Sequence, residues 1–221
     1  NQAGAKKTKQ KAHLDVTHYQ LIADKELQEI ENEANKIVEK SIDIEKKFYP
    51  RRVAEDKFGM DIYQGGAVPG KEIRIIKIND LDVEACGGTH LNNTSEVGKI
   101  KIIKSTKVQD GVIRIEFVAG KAAQKYMQKN QKIIDEATKL LGIRDSQLPA
   151  RAEELFKKWK KARKAAKKQK QIDPSELQLT SDEKYEGDVL KKTAEILRTQ
   201  PKHVPKTIKR FLDDLEKFKN S

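Results

Sequence analysis

At 221 residues and 25.2 kDa the chain is long enough for one large domain or two smaller ones with a real core, which excludes a mini-protein dependent on staples. Its 36% hydrophobic, 5% aromatic and 36% charged residues predict a modest core and much solvated helix, and a single cysteine excludes an internal disulfide framework. The formal charge of +12 is unevenly placed: residues 1–120 carry 20 Lys and Arg against 19 Asp and Glu, whereas residues 121–221 carry 26 against 15. A basic segment joined to a neutral one suits an RNA-binding arm attached to a chemical domain, and it suits a solvated lysine-rich helix face equally. No run of about 18 apolar residues and no signal-peptide core is present, so a cytoplasmic protein without a membrane partner is expected.

Residues 14–18 alternate apolar and polar side chains and predict a short strand. Leu27, Ile30, Ala34, Ile37 and Val38 recur at helical spacing and predict a helix over about 24–40, with Asp24 as its cap. Ile42 and Ile44 suggest an edge strand, Pro50 opens a short helix to about Lys57, and the Gly- and Pro-rich residues 64–70 read as a loop. Three β-rich runs at 72–78, 99–105 and 112–118, the last two joined by a turn at 109–111, predict one sheet. Between the first and second of them, after the alternation at Leu81 and Val83, stands A-C-G-G-T-H, residues 85–90, on a loop at the sheet edge.

The pattern turns helical after Gly120. One helix ends near Gly142, and a second carries Leu148, Ala152, Leu155, Trp159, Ala162 and Ala166 at spacings of four and three, predicting a short antiparallel hairpin with Trp159 in its core. Residues 157–170 hold nine cations in fourteen positions. Lys157, Lys158, Lys160, Lys161, Arg163, Lys164, Lys167 and Lys168 are therefore candidate phosphate contacts, weighed against a solvated helix face. Residues 185–197 and the stripe of Val204, Ile208, Phe211, Leu212, Leu215 and Phe218 predict two more helices. The fold class is α+β: a small antiparallel-rich sheet with flanking helices over residues 1–120, then an all-helical region over residues 121–221.

Cys86 and His90, four residues apart across two glycines, are ordinary zinc ligand types that a tight turn can aim at one point, but two ligands do not hold a zinc ion. His13 and His18 do not complete the set by spacing: on a strand they point to opposite faces, and on a helix they diverge by roughly 140°. His203 is expected to be exposed or capping.

C-G-G-T-H together with Y-Q-G-G-A-V-P-G at residues 63–70, Q-A-G-A at 2–5 and A-H-L-D-V-T-H-Y at 12–19 resembles the editing domain of archaeal-type alanyl-tRNA synthetases, firmly over residues 1–120 and more loosely beyond. Threonyl-tRNA synthetases and freestanding editing proteins share the general scheme. The resemblance implies that Cys86 and His90 ligate Zn2+, that Gln2 is a polar pocket residue, and that Gly87, Gly88 and Thr89 shape the pocket wall. It also implies an H-x-x-x-H pair on a helix upstream of this chain. The expectation is a synthetase divided within its editing domain, the complementary polypeptide bringing that helix and the aminoacylation domains, with an experimental fragment as the other explanation. The implied partner is tRNA(Ala), and the implied reaction is hydrolysis of wrongly attached Ser or Gly. No ATP-binding motif is visible, so ATP would serve the assembly only. The alternative from a different class is a non-catalytic tRNA-binding or scaffolding module.

Overall fold

A computed structural model describes residues 2–63, 66, 68–168 and 172–219. Residues 64, 65 and 67 of the expected loop, and Lys170 of the basic run, lie outside the described residues. The chain forms two compact units, Asn1–Tyr126 and Met127–Ser221.

The first unit contains β1 (Gln2–Lys7), β2 (Ala12–Thr17), α1 (Asp24–Glu39), β3 (Ile44–Pro50), α2 (Arg51–Phe58), β4 (Glu72–Ile78), β5 (Asp82–Ala85), β6 (Ile100–Gln109) and β7 (Val112–Ala119). It also holds the start of α3 (Gly120–Leu141). The strands form two antiparallel sheets, a larger one in the order β1-β2-β7-β6 and a smaller one in the order β3-β4-β5. The single sheet expected from the three β-rich runs is thus corrected to two. A tight turn, closed by Leu81 N–H donating to the Ile78 carbonyl at 2.9 Å, pairs β4 with β5 and keeps β4 away from β6 and β7. β1 has no apolar alternation to announce it; it is a strand because its backbone pairs with β2 from Gln2↔Val16 to Lys7↔Ala12.

The smaller sheet has one face in the core. Ile73 and Ile75 of β4 are buried with Ala54 of α2 and Ile62, and Tyr49, Phe58 and Val83 pack around them. Side chains alternate along a strand, so Arg74 and Ile76 lie on the other face. The register sets Phe48 opposite Arg74, and Lys46, Ile76 and Glu84 in the next row.

β6 is an edge strand, and α1 covers its polar backbone with side chains. Asn35 accepts from Ile100 N–H and donates to its carbonyl, both at 2.9 Å, and the Glu31 carboxylate accepts from Ile102 N–H at 2.6 Å. Both side chains are buried, and these bonds satisfy groups that water would otherwise have to reach. Asp24 is the first helical residue rather than the cap: Ala23 caps α1, and the Glu26 carboxylate accepts from Ala23 N–H at 2.8 Å.

The second unit is helical: the remainder of α3, α4 (Leu148–Lys167), α5 (Val189–Ile196) and α6 (Val204–Lys219), with a 3-10 turn at Pro174–Leu177. Leu148, Ala152, Leu155 and Ala162 of α4 are buried against Leu190 and Ala194 of α5 and Val204, Ile208, Phe211 and Leu215 of α6. The two-helix hairpin expected here is therefore a small bundle, because two further helices carry apolar stripes that pack on α4 in a core to which Ala137 of α3 also contributes. α5 starts later than residue 185, at Val189, where the Asp188 carboxylate accepts from Lys191 N–H at 2.9 Å. Trp159 is in the core, its ring centroid 4.2 Å from that of Phe211 and its indole N–H donating to Asp214 at 2.9 Å. Among the described residues no helix is long and apolar enough to cross a membrane.

Across β2 and β7, Asp15 faces Arg114 and receives two hydrogen bonds from its guanidinium at 2.7 and 2.8 Å. The Arg114 hydrogen bond holds the Asp15 carboxyl below its ordinary range. Its contribution to stability is complete above the unfolded carboxylate pKa of about 3.9 and is lost as pH falls through the lower folded value. In urea unfolding, Asp15→Asn should be less stable than the parent at pH 7, with the gap closing below about pH 4; a gap independent of pH would contradict this.

Candidate functional site

The turn after β5 lies at the edge of the smaller sheet, and main-chain bonds hold it from both sides. Cys86 N–H donates to the Arg74 carbonyl at 3.0 Å, which continues the β4–β5 pairing by one residue. The Arg74 guanidinium returns along the same line, with Nε donating to the Cys86 carbonyl at 3.1 Å and an Nη donating to the Gly88 carbonyl. On the other side Lys46 of β3 donates to the His90 carbonyl at 3.0 Å and to the Asn92 side chain at 2.6 Å, and Ile44 N–H donates to the Asn92 carbonyl at 2.7 Å. Two cations on adjacent strands thus bracket residues 86–92.

Inside the bracket, a Cβ placed on Gly88 would stand 3.6 Å from Cys86 Sγ and 3.9 Å from His90 Nε2. The two donor atoms therefore converge on the space beside Gly88, while a Cβ on Gly87 would meet nothing. His90 Nε2 is buried and has no hydrogen-bond partner among the described residues. Burial, followed by the charges of Arg74, Lys7 and Lys46, holds the His90 pKa below its ordinary value. A neutral imidazole with an unused nitrogen beside a thiol is the donor chemistry that zinc takes, so these residues fit two of its four usual ligands.

Thr89 is exposed on the same turn. Gln2 stands at the opposite end of β1 from Lys7, the residue whose charge acts on His90; five strand steps, roughly 17 Å, separate the two. His13 is in β2 opposite Lys6 and Glu116, His18 follows that strand, and His203 lies in a 3-10 turn of the second unit. Among the described residues no three His, Cys, Asp or Glu side chains gather as a metal site.

Arg74, Lys46, Lys7 and Glu84 escape sequence reasoning. Burial and then Asp82 raise the Glu84 pKa, with Lys7 acting against them. The only local signal was a basic residue interrupting the apolar run of β4; the register that sets it beside the cysteine is not written in β4 itself.

The basic run along and just beyond α4 separates into three groups. Lys157 pairs with Glu153 at 2.6 Å, Lys158 with Glu154 at 2.9 Å and with the Gln178 carbonyl, and Lys161 with Glu176. Glu154 also accepts from Thr180 and Ser181 N–H groups. Although burial acts to raise its pKa, bonds from Ser181, Lys158 and Thr180 outweigh that and lower it. Lys160 lies 4.2 Å over the Phe156 ring and Arg163 5.2 Å over that of Trp159. Lys164, Lys167 and Lys168 are exposed, and their side chains make no ion pair or hydrogen bond among the described residues.

Because Cys86 is the only cysteine, its thiol reports on the turn without interference. Arg74→Ala, which removes the bonds to the Cys86 and Gly88 carbonyls, should speed its modification by a disulfide reagent several-fold, consistent with the roughly 1–3 kcal/mol cost of an unmet buried acceptor. Arg74→Lys should fall between the two, and an unchanged rate in the Ala variant would show that Arg74 does not restrain the turn.

Residues 73–116 match the family described as threonyl and alanyl tRNA synthetase second additional domain. Alanine–tRNA ligase of Pyrococcus abyssi is 47% identical over 169 residues, which is 76% of this chain and 18% of that protein. The Staphylothermus marinus enzyme is 50% identical over 143 residues, 65% of this chain and 16% of its own, and that of Methanobrevibacter smithii 39% identical over 214 residues, 96% and 24%. The chain thus spans about a fifth of the length of the curated relatives it matches. Identity of this order across most of its residues makes the chain a member of the archaeal-type alanyl-tRNA synthetase family, corresponding to one segment of the longer enzyme.

Proposed function

We propose that this chain contributes the C-x-x-x-H half of a zinc-dependent editing site to an alanyl-tRNA synthetase assembly, together with a basic region that contacts tRNA(Ala). The observation that carries the proposal is the buried His90 Nε2, without a hydrogen-bond partner among the described residues, converging with Cys86 Sγ on the space beside Gly88. Such a pair needs further donors, and the H-x-x-x-H helix of a complementary polypeptide or segment is their source in this reading. The reaction is hydrolysis: water adds to the acyl carbon, the ester C–O bond to the tRNA ribose breaks, the ribose oxygen takes a proton, and free Ser or Gly leaves. Such correction is needed because one small group is worth only about 1–3 kcal/mol in a binding pocket.

Cys86 and His90 would hold the metal, which when bound supplies Lewis-acid polarisation or a fixed point for the substrate. Arg74 and Lys46 fix the turn that carries both ligands, and with Lys7 they surround it with positive charge suited to an RNA end. Gly88 leaves room for the reacting group, and Thr89, Gly87 and Gln2 are candidate pocket residues. ATP and the aminoacylation step belong to the rest of the assembly.

Mixing the chain with the complementary polypeptide should yield one bound zinc and deacylation of Ser-tRNA(Ala). Cys86→Ala should abolish both while leaving the chain's own tRNA affinity within about twofold, since that affinity comes from phosphate contacts. Zinc binding and deacylation that survive Cys86→Ala would overturn the assignment. A wild-type mixture that binds tRNA but neither metal nor mischarged substrate would favour the non-catalytic tRNA-binding module instead.

A further inference from the structure

We infer that RNA contact by the second unit centres on a groove along α6, joined to α4 through stacked aromatic rings, and that its ligand is RNA phosphodiester backbone rather than any base sequence. The inference rests on the proposal that this region binds RNA, and it moves the contact away from the lysine run that the sequence makes conspicuous.

Val204, Ile208, Phe211 and Leu215 form the buried stripe of α6, flanked by the partly buried Leu212 and Phe218, and Lys206, Lys209, Arg210 and Asp213 are exposed. His203, Lys206, Lys209 and Arg210 line a groove there together with the hydroxyl residues Thr199 and Thr207. Lys206, Lys209 and Arg210 are exposed and form no ion pair among the described residues, in contrast to Lys157, Lys158 and Lys161 of α4. Two carboxylates also line the groove. Asp214 is engaged by the Trp159 indole N–H at 2.9 Å, and Asp213 is exposed. Cations remain in excess.

The aromatic cluster connects this groove to α4. Arg210 lies 5.0 Å over the Phe211 ring, Arg163 lies 5.2 Å over the Trp159 ring, and those two rings are stacked at 4.2 Å. One arginine from each helix is thus set on neighbouring rings, with Asp214 linking the groove wall to the same tryptophan. A guanidinium resting on a ring face loses little further freedom on binding and keeps its N–H edge available to a phosphate. Phe211 is buried, and the partly buried Trp159 ring lies against Phe211 and Phe156 with Arg163 over it, so neither ring is a free platform for base stacking. Cations without aromatic platforms favour the backbone, whose recognition is insensitive to sequence.

The test uses the full chain, with a tRNA(Ala) transcript and an RNA hairpin of unrelated sequence as probes, over a salt titration. Lys206→Gln/Lys209→Gln should weaken binding of both probes roughly tenfold at 0.1 M salt and reduce the slope of log affinity against log salt by about 1.5, with an unchanged thermal midpoint. Lys206→Arg/Lys209→Arg should restore both quantities, and Lys157→Gln should leave them unchanged. If the wild-type chain binds RNA and the Gln double variant binds it equally with the same slope, while Lys164→Gln/Lys167→Gln/Lys168→Gln removes binding, the groove is wrong and the RNA reading stands. If the wild-type chain binds neither probe, the RNA reading fails and takes this inference with it.

Discussion

Arg74 occupies the central strand of the smaller sheet and directs its guanidinium at main-chain oxygens instead of a carboxylate. The residues it reaches, Cys86 and Gly88, belong to a turn with no regular structure of its own and two consecutive glycines, a segment that loses much backbone entropy when ordered. Arg74 can supply that restraint because its own position is rigid. Ile73 and Ile75 on either side are buried against α2, and the strand is paired on both edges. The core face of β4 therefore fixes the strand from which Arg74 holds the turn, and the placement of Cys86 depends on it.

The trailing leg of the turn has a separate anchor. Thr94 N–H donates to the Ile42 carbonyl at 2.9 Å and the Thr94 hydroxyl donates to the Ile37 carbonyl at 3.0 Å, which ties the segment to the end of α1. α1 in turn grips the edge of β6 through Glu31 and Asn35. The turn is thus strung between the smaller sheet on one side and α1 with the larger sheet on the other. A two-ligand half-site gains from such restraint, because donors already in place lose little freedom when further ligands arrive.

Much of this organisation was legible in the sequence, wherever one face of an element carries a periodic apolar signal. The strands 72–78 and 112–119, the helices at 24–39 and 120–141 and the core position of Trp159 follow from spacing alone. The elements that were not legible lack such a signal. β1 is Gln-Ala-Gly-Ala-Lys-Lys and exists through its pairing with β2. The division into two sheets follows from the tight β4–β5 turn, and the covering of α4 by α5 and α6 from stripes that are unremarkable one at a time. At the candidate site the C-G-G-T-H turn was evident, whereas Arg74 and Lys46 come beside it only through cross-strand register. The basic run illustrates the reverse case. Its density drew notice to all of its cations, yet three of them are tied to acidic neighbours within the fold, while the less conspicuous Lys206, Lys209 and Arg210 stand open.

In the proposed assembly a sulfur and a nitrogen from this chain meet at one metal ion. X-ray absorption at the zinc edge, recorded on the chain assembled with the complementary H-x-x-x-H polypeptide, reads that directly. One sulfur scatterer at about 2.3 Å alongside nitrogen at about 2.0–2.1 Å, with the sulfur shell lost in Cys86→Ala, is the result expected. A zinc shell of nitrogen and oxygen alone in the wild-type assembly would contradict it.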